Sequence, residues 1–166
     1  MDRGAIRISG MFTGRTYTVP LTAKGINKLA IDDQKRLESV RFCDGLLMLN
    51  NGCFSGAGIR RLTLPSSVRS IGIDAFCSCA SLRFADLSAA SGLVRLEDRT
   101  FCGCRMLKTV LLGDGLEAIG CECFSGSGLE AITIPKGVQR IGDETFFRCV
   151  SLKQISFAGQ VLESIG

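Results

Sequence analysis

The chain has 166 residues, 46% of them apolar and 22% charged, and its 20 basic and 16 acidic side chains leave a formal net charge of +4. That composition excludes a disordered chain and suits one well-buried core, while the length is too short for two ordinary domains. With no run of like charges and no apolar stretch near the ~20 residues of a membrane span, nucleic-acid binding is disfavoured and no spanning helix is expected.

Twenty glycines against three prolines point to many tight turns. Nine cysteines are an odd number at a density below that of a disulfide-held secreted scaffold, so reduced thiols are expected. Met1-Asp2-Arg3-Gly4 leads into alternating Ile6 and Ile8 rather than a signal-peptide core. The expected setting is therefore cytoplasmic, with the cell surface as the alternative if a leader has been removed.

Residues 5–21 read as a hairpin, because Ile6 and Ile8 alternate, Thr13-Gly14-Arg15 supplies a turn, and Tyr17, Val19 and Leu21 alternate again. Residues 1–30 are assigned to this N-terminal cap and a degenerate first turn, and 31–166 to a repeat array. The repeat keeps a period of 22–25 residues through Val19, Phe42, Leu64, Leu87, Leu112, Ile134 and Phe157, and the fourth of its seven turns carries two extra residues around Ala89-Ala90-Ser91. Self-similarity at this period is the signature of a stacked solenoid.

Within each turn a leading leucine or isoleucine is followed by apolar residues three and five positions on, as in Ile59, Leu62, Leu64 and Leu82, Ala85, Leu87. Alternation predicts one short strand per turn, too one-sided to bury its own face, and so paired in parallel with its neighbours. A second wall follows at Val68 and Ile71, Leu93 and Leu96, Leu116 and Ile119, Val138 and Ile141. Gly72, Gly120 and Gly142 come next, where a positive φ or a close neighbouring backbone is expected. Five residues after each second-wall Ile or Leu lies an aromatic column, Phe54, Phe76, Phe101, Phe124 and Phe146, with Ile31 in the first turn. No apolar helical spacing persists for three turns; Ile26 to Leu37 comes nearest.

The phrase Ile-Gly-x-x-x-Phe-x-x-Cys-x-x-Leu, seen from Ile71-Gly72 through Phe76, Cys79 and Leu82, with Leu64-Pro65 and Ile134-Pro135 after their strands, resembles the BspA-like leucine-rich repeat over about residues 31–166. The resemblance implies a leucine-rich-repeat solenoid, mostly β with little helix, its parallel sheet on the concave face, behind the N-terminal hairpin cap. It also implies protein contacts or adhesion, and offers no catalytic residues. Leu87 and Leu112 lack the following proline, and the shorter turns at Phe54 and Phe124 lack the cysteine.

Chemistry has little to work with. Cys77 and Cys79, Cys102 and Cys104, and Cys121 and Cys123 form Cys-x-Cys pairs, but zinc usually takes Cys-x-x-Cys knuckles or added histidine, and the chain has no histidine. Cys79, Cys104 and Cys149 are expected to form a buried ladder facing loop backbone. Cys77 and Cys102, equivalent residues on adjacent turns, fall within disulfide reach. A nucleophile would need a positioned base, Asp32-Asp33 and Asp143-Glu144 read as solvated turns, and no phosphate-binding loop occurs. The reading is a non-enzyme without metal or cofactor.

Strand parity places the residues two and four after the leading leucine on the outer face. These are Ser39 and Arg41, Arg61 and Thr63, Phe84 and Asp86, Thr109 and Leu111, Ala131 and Thr133, Gln154 and Ser156. Phe84 and Leu111 are the large apolar exceptions near mid-array, which marks them as the centre of a partner-binding surface. Arg41, Arg60, Arg61, Arg83 and Lys108 surround them with Asp86 as the one opposing charge, which calls for a partner with an acidic rim. The carboxyl end stops at Leu162-Glu163-Ser164-Ile165-Gly166 with no cap in view, so either the natural protein continues beyond it or that edge docks on something, a second copy of the chain included.

Overall fold

The computed structural model describes residues 5–6, 12–27, 34–159 and 164–165. The chain is a parallel β-solenoid whose only described helix is the 3-10 turn Gln34–Arg36. On one wall the strands are Thr16–Thr18, Ser39–Arg41, Arg61–Thr63, Phe84–Asp86, Thr109–Leu111, Ala131–Ile134 and Gln154–Phe157. They pair at the repeat period, with Leu62 beside Ala85, Ala85 beside Val110, and Ile132 beside Ile155. The opposite wall is built from two-residue strands, among them Ser70–Ile71, Arg95–Leu96, Ala118–Ile119 and Arg140–Ile141.

The expected alternation holds: Leu62, Ala85, Val110 and Ile132 are buried, while Arg61, Thr63, Thr109, Ala131 and Thr133 are exposed. The second-wall residues Val68, Ile71, Leu96, Leu116 and Ile119 close the core from the other side. Between them the phenylalanines form a continuous stack, Phe54, Phe76, Phe101, Phe124 and Phe146, with centroid spacings of 5.5, 5.4, 5.7 and 5.8 Å and neighbouring planes within 7° of parallel. The first four rings are fully buried, whereas Phe146, on the last turn of the column, is only partly so. Ile31, expected to continue the column, lies outside the described residues.

The two-residue insertion sits in a turn, and Ser70–Ile71 and Arg95–Leu96 on either side of it fall in separate four-stranded sheets. Register survives in the core, because Phe76 still stacks on Phe101 across the insertion.

Three local expectations are corrected or decided. The hairpin pairs Phe12–Thr13 with Thr16–Thr18, whereas Ala5–Ile6 joins Gly25–Ile26 in parallel on the second wall. The antiparallel ladder thus forms immediately around the Gly14 turn, where φ is +64°, and not with the more distant Ile6 segment. Leu21 does not continue the buried alternation of Tyr17 and Val19: it is 80% exposed, because the strand ends at Thr18 and the chain turns. At Gly120 and Gly142 it is close approach that demands glycine, since an added Cβ would lie 2.7 Å from the Asp98 backbone nitrogen and 2.6 Å from that of Cys121. The left-handed residues are others. Two positions before four of the phenylalanines stand Asp74, Arg99, Glu122 and Glu144, with φ between 51° and 58°. Each such conformation costs about 1 to 2 kcal/mol, offset in part because the N–H groups of Asp74, Arg99 and Glu122 bond to the next turn at 2.9 to 3.2 Å.

Candidate interaction surface

The outward side chains of the first wall form two rows along the solenoid. One carries Arg61, Phe84 and Thr109, and the other Thr63, Asp86 and Leu111, as the strand register requires. Leu111 therefore stands beside Asp86, diagonal to Phe84. The Arg61 guanidinium lies 4.5 Å above the Phe84 ring, a cation–π contact that leaves the ring half-buried. Leu111 is 43% exposed. The two apolar side chains predicted at the centre do share this face, but Arg61 shields one of them.

Arg60, Arg83 and Lys108 belong to a third column, at the entry of the strands, where each backbone N–H bonds to the carbonyl of its predecessor. That column also holds Arg15 and Glu38 ahead of them and Glu130 after them. Arg60 reaches Glu38 at 3.3 Å, Arg15 also pairs with Glu38, and Lys108 holds Glu130 at 2.7 Å. The Lys108 hydrogen bond, followed by its charge, keeps the Glu130 carboxyl below its ordinary pKa. Asp86 is accordingly not the one opposing charge, because Glu38 and Glu130 stand in the same strip. Asp86 itself accepts bonds from the Ser88 N–H at 3.0 Å and the Ser88 hydroxyl at 2.6 Å, so it is turned toward its own loop. Arg41 and Arg83 are exposed on the same wall.

A cleft of about 380 Å³ opens beside Leu111, with Ile132, Pro135 and Ala158 among its apolar lining and Ser88 and Asp114 among its polar groups. It spans Thr109–Leu111 and Ala131–Ile134, which fall in separate sheets. The first cross-bond there, from the Glu130 N–H to the Lys108 carbonyl, is stretched to 3.5 Å. Alternation could not reveal this lapse, since the side-chain pattern of the two strands is regular.

The cysteines stand mostly as the repeat demands. The thiols of Cys79, Cys104 and Cys149 donate to the carbonyls of Phe54, Phe76 and Phe124 on preceding turns, at 3.1, 3.2 and 3.0 Å. They cap the corners of their own turns, Cys79 and Cys104 fully buried and Cys149, expected to be buried with them, only partly so. Among the described residues no group of three or more His, Cys, Asp or Glu converges as a metal site, and no helix is long and apolar enough to cross a membrane.

A family model described as the BspA type leucine rich repeat region matches in six copies, over residues 13–91 and 83–166. Among solved structures, a leucine-rich repeat protein of T. pallidum is 26% identical with a TM-score of 0.63, over 84% of this chain and 62% of that one. A leucine rich cell surface protein of Faecalibacterium prausnitzii is 24% identical with a TM-score of 0.58, over 89% of this chain and 48% of that one. The chain thus spans about half to three fifths of these two structures. No curated protein matches the sequence.

Proposed function

The chain belongs to the BspA-type leucine-rich repeat family, and on that premise we propose that it is a non-catalytic module that binds a protein partner through the outer face of its strand wall. The observation that carries this reading is the placement of Phe84 and Leu111 on adjacent strands of one otherwise small or polar face, with the cleft opening beside Leu111. An anchor with a recess next to it is how a partner side chain gains buried contact. The cations Arg41, Arg61 and Arg83 outnumber the acids left facing out, and Arg60 and Lys108 are held in surface ion pairs worth little to either state. An acidic rim on the partner complements that balance.

Replacing Phe84 and Leu111 together by serine is expected to weaken a partner isolated by pull-down from the source cells by more than about 2 kcal/mol. The thermal unfolding midpoint should stay near that of the parent. Unchanged affinity for that partner would move the site off this face. A shallow salt dependence of the affinity is expected too, and a steep one would favour the electrostatic nucleic-acid alternative.

The self-association expected of the carboxyl edge also belongs to this reading. On Gln154–Phe157, the last strand of the first wall, the inward Ile155 and Phe157 are 38% and 45% exposed, although they continue the core columns of Ile132 and Ile134. A surface made of core positions is most complementary to another rung of the same repeat, which a following turn of a longer chain or a second copy can supply. Sedimentation equilibrium is expected to show dimers that Ile155→Lys with Phe157→Lys dissolves. A parent chain that is monomeric at all concentrations would overturn this part.

The cell-surface description of the F. prausnitzii protein favours an adhesion-type setting over the cytoplasmic one. Labelling of intact source cells with a membrane-impermeant amine reagent decides between the two.

A further inference from the structure

The position immediately after each spine phenylalanine reads Ser55, Cys77, Cys102, Ser125 and Phe147 along the solenoid, so cysteine occupies it on two adjacent turns. The preceding residues, Phe76 and Phe101, stack at 5.4 Å. The following residue, Ser78, donates its N–H to the Cys102 carbonyl at 2.7 Å. Equivalent residues on turns joined in this way have Cα atoms about 5 Å apart, inside the ~4.4 to 6.8 Å window that a disulfide accepts. Both side chains are half-buried, so an oxidant in solvent can reach them.

The sister pair on the same two turns is differently placed. Cys79 and Cys104 are fully buried, and each sulfur is engaged as a donor to the carbonyl of a phenylalanine on the preceding turn. Those bonds aim both thiols along the solenoid, away from solvent. The Cys77 sulfur instead meets the Ser78 hydroxyl at 3.6 Å, a weak contact.

We infer that Cys77 and Cys102 form a modification site at which hydrogen peroxide joins them in a disulfide that staples two adjacent turns, while the buried cysteines stay reduced. In the first step one thiolate attacks the peroxide, the O–O bond breaks, and a sulfenic acid and hydroxide form. In the second the other sulfur attacks that sulfenic sulfur, the S–O bond breaks, and the S–S bond forms with loss of water. Two thiols lose two electrons and two protons in all, and the peroxide is reduced to two waters. Burial first, and then the charge of Cys77, raise the pKa of the Cys102 thiol. The site lies at the outer corner and not on the strand face, so its test is independent of partner binding.

The test treats the full chain with hydrogen peroxide, alkylates the remaining thiols, and maps the peptides by mass spectrometry. One cross-link between Cys77 and Cys102 is expected, at a mass about 2 Da below the two thiols, together with a melting temperature raised by about 5 to 10 °C and restored by dithiothreitol. Cys77→Ser or Cys102→Ser should each abolish both changes. Neither is expected to disturb the fold, because serine already fills this position at Ser55 and Ser125. A cross-link within Cys77 and Cys79 or within Cys102 and Cys104, or oxidation to sulfinic acid with no cross-link, would overturn the assignment.

Discussion

Phe101→Ala is expected to lower the folding free energy by about 3 to 5 kcal/mol, the range for truncating a fully buried aromatic side chain. Its ring is completely buried between Phe76 at 5.4 Å and Phe124 at 5.7 Å, nearly parallel to both. Those neighbours cannot collapse into the space, because each is held by its own turn and by a further ring beyond it, so the void persists. A loss of this size removes a large part of the ~5 to 15 kcal/mol that stabilises an ordinary domain. Phe146→Ala, at the half-buried end of the same column, should cost well under half as much. Urea unfolding followed by circular dichroism measures both, and equal losses at the two positions would refute the stack as the centre of the core.

The second large effect is a loss of stability in alkali. Burial pushes the Cys53 and Cys123 thiols far above their ordinary pKa, and Cys104 is raised by its hydrogen bond with Cys79 and then by burial. In the unfolded chain these thiols ionise near pH ~8.5. Above that value the unfolded state holds fewer protons than the folded one. The raised thiols therefore contribute stability that is fully present below the unfolded pKa and is lost as pH climbs toward the folded one. The decline is about 1.4 kcal/mol per pH unit for each thiol, hence about 4 kcal/mol per unit for the three. Tyr17, raised by burial and by Cys43 to about 12, adds to the loss above pH ~10. Urea midpoints under reducing conditions should fall steadily from about pH 8.5 to 10, and less steeply in a Cys53→Ala, Cys123→Ala variant. A flat profile, or one unchanged in the variant, would contradict the burial of these thiols.

What the sequence by itself determined is everything the repeat states many times over. The period, the inward Leu62, Ala85, Val110 and Ile132, the phenylalanine column and the Cys79, Cys104 and Cys149 corner all recur at fixed spacing. Strand alternation and stacking then leave each of them one place to go. Only the tertiary structure decided features that depend on single contacts between segments more than twenty residues apart. The left-handed turns at Asp74, Arg99 and Glu122 carry no glycine signal, because cross-turn hydrogen bonds and not residue type hold them there. Glu38 and Glu130 proved to be partners of Arg60 and Lys108, since adjacent turns bring charges of opposite sign within 3.3 Å and 2.7 Å. Arg61 lies over Phe84, and the ladder lapses beside Leu111 to open a cleft. A periodic pattern prescribes which face a side chain takes; distances across that face are set by how neighbouring turns pack, and so belong to the folded chain alone.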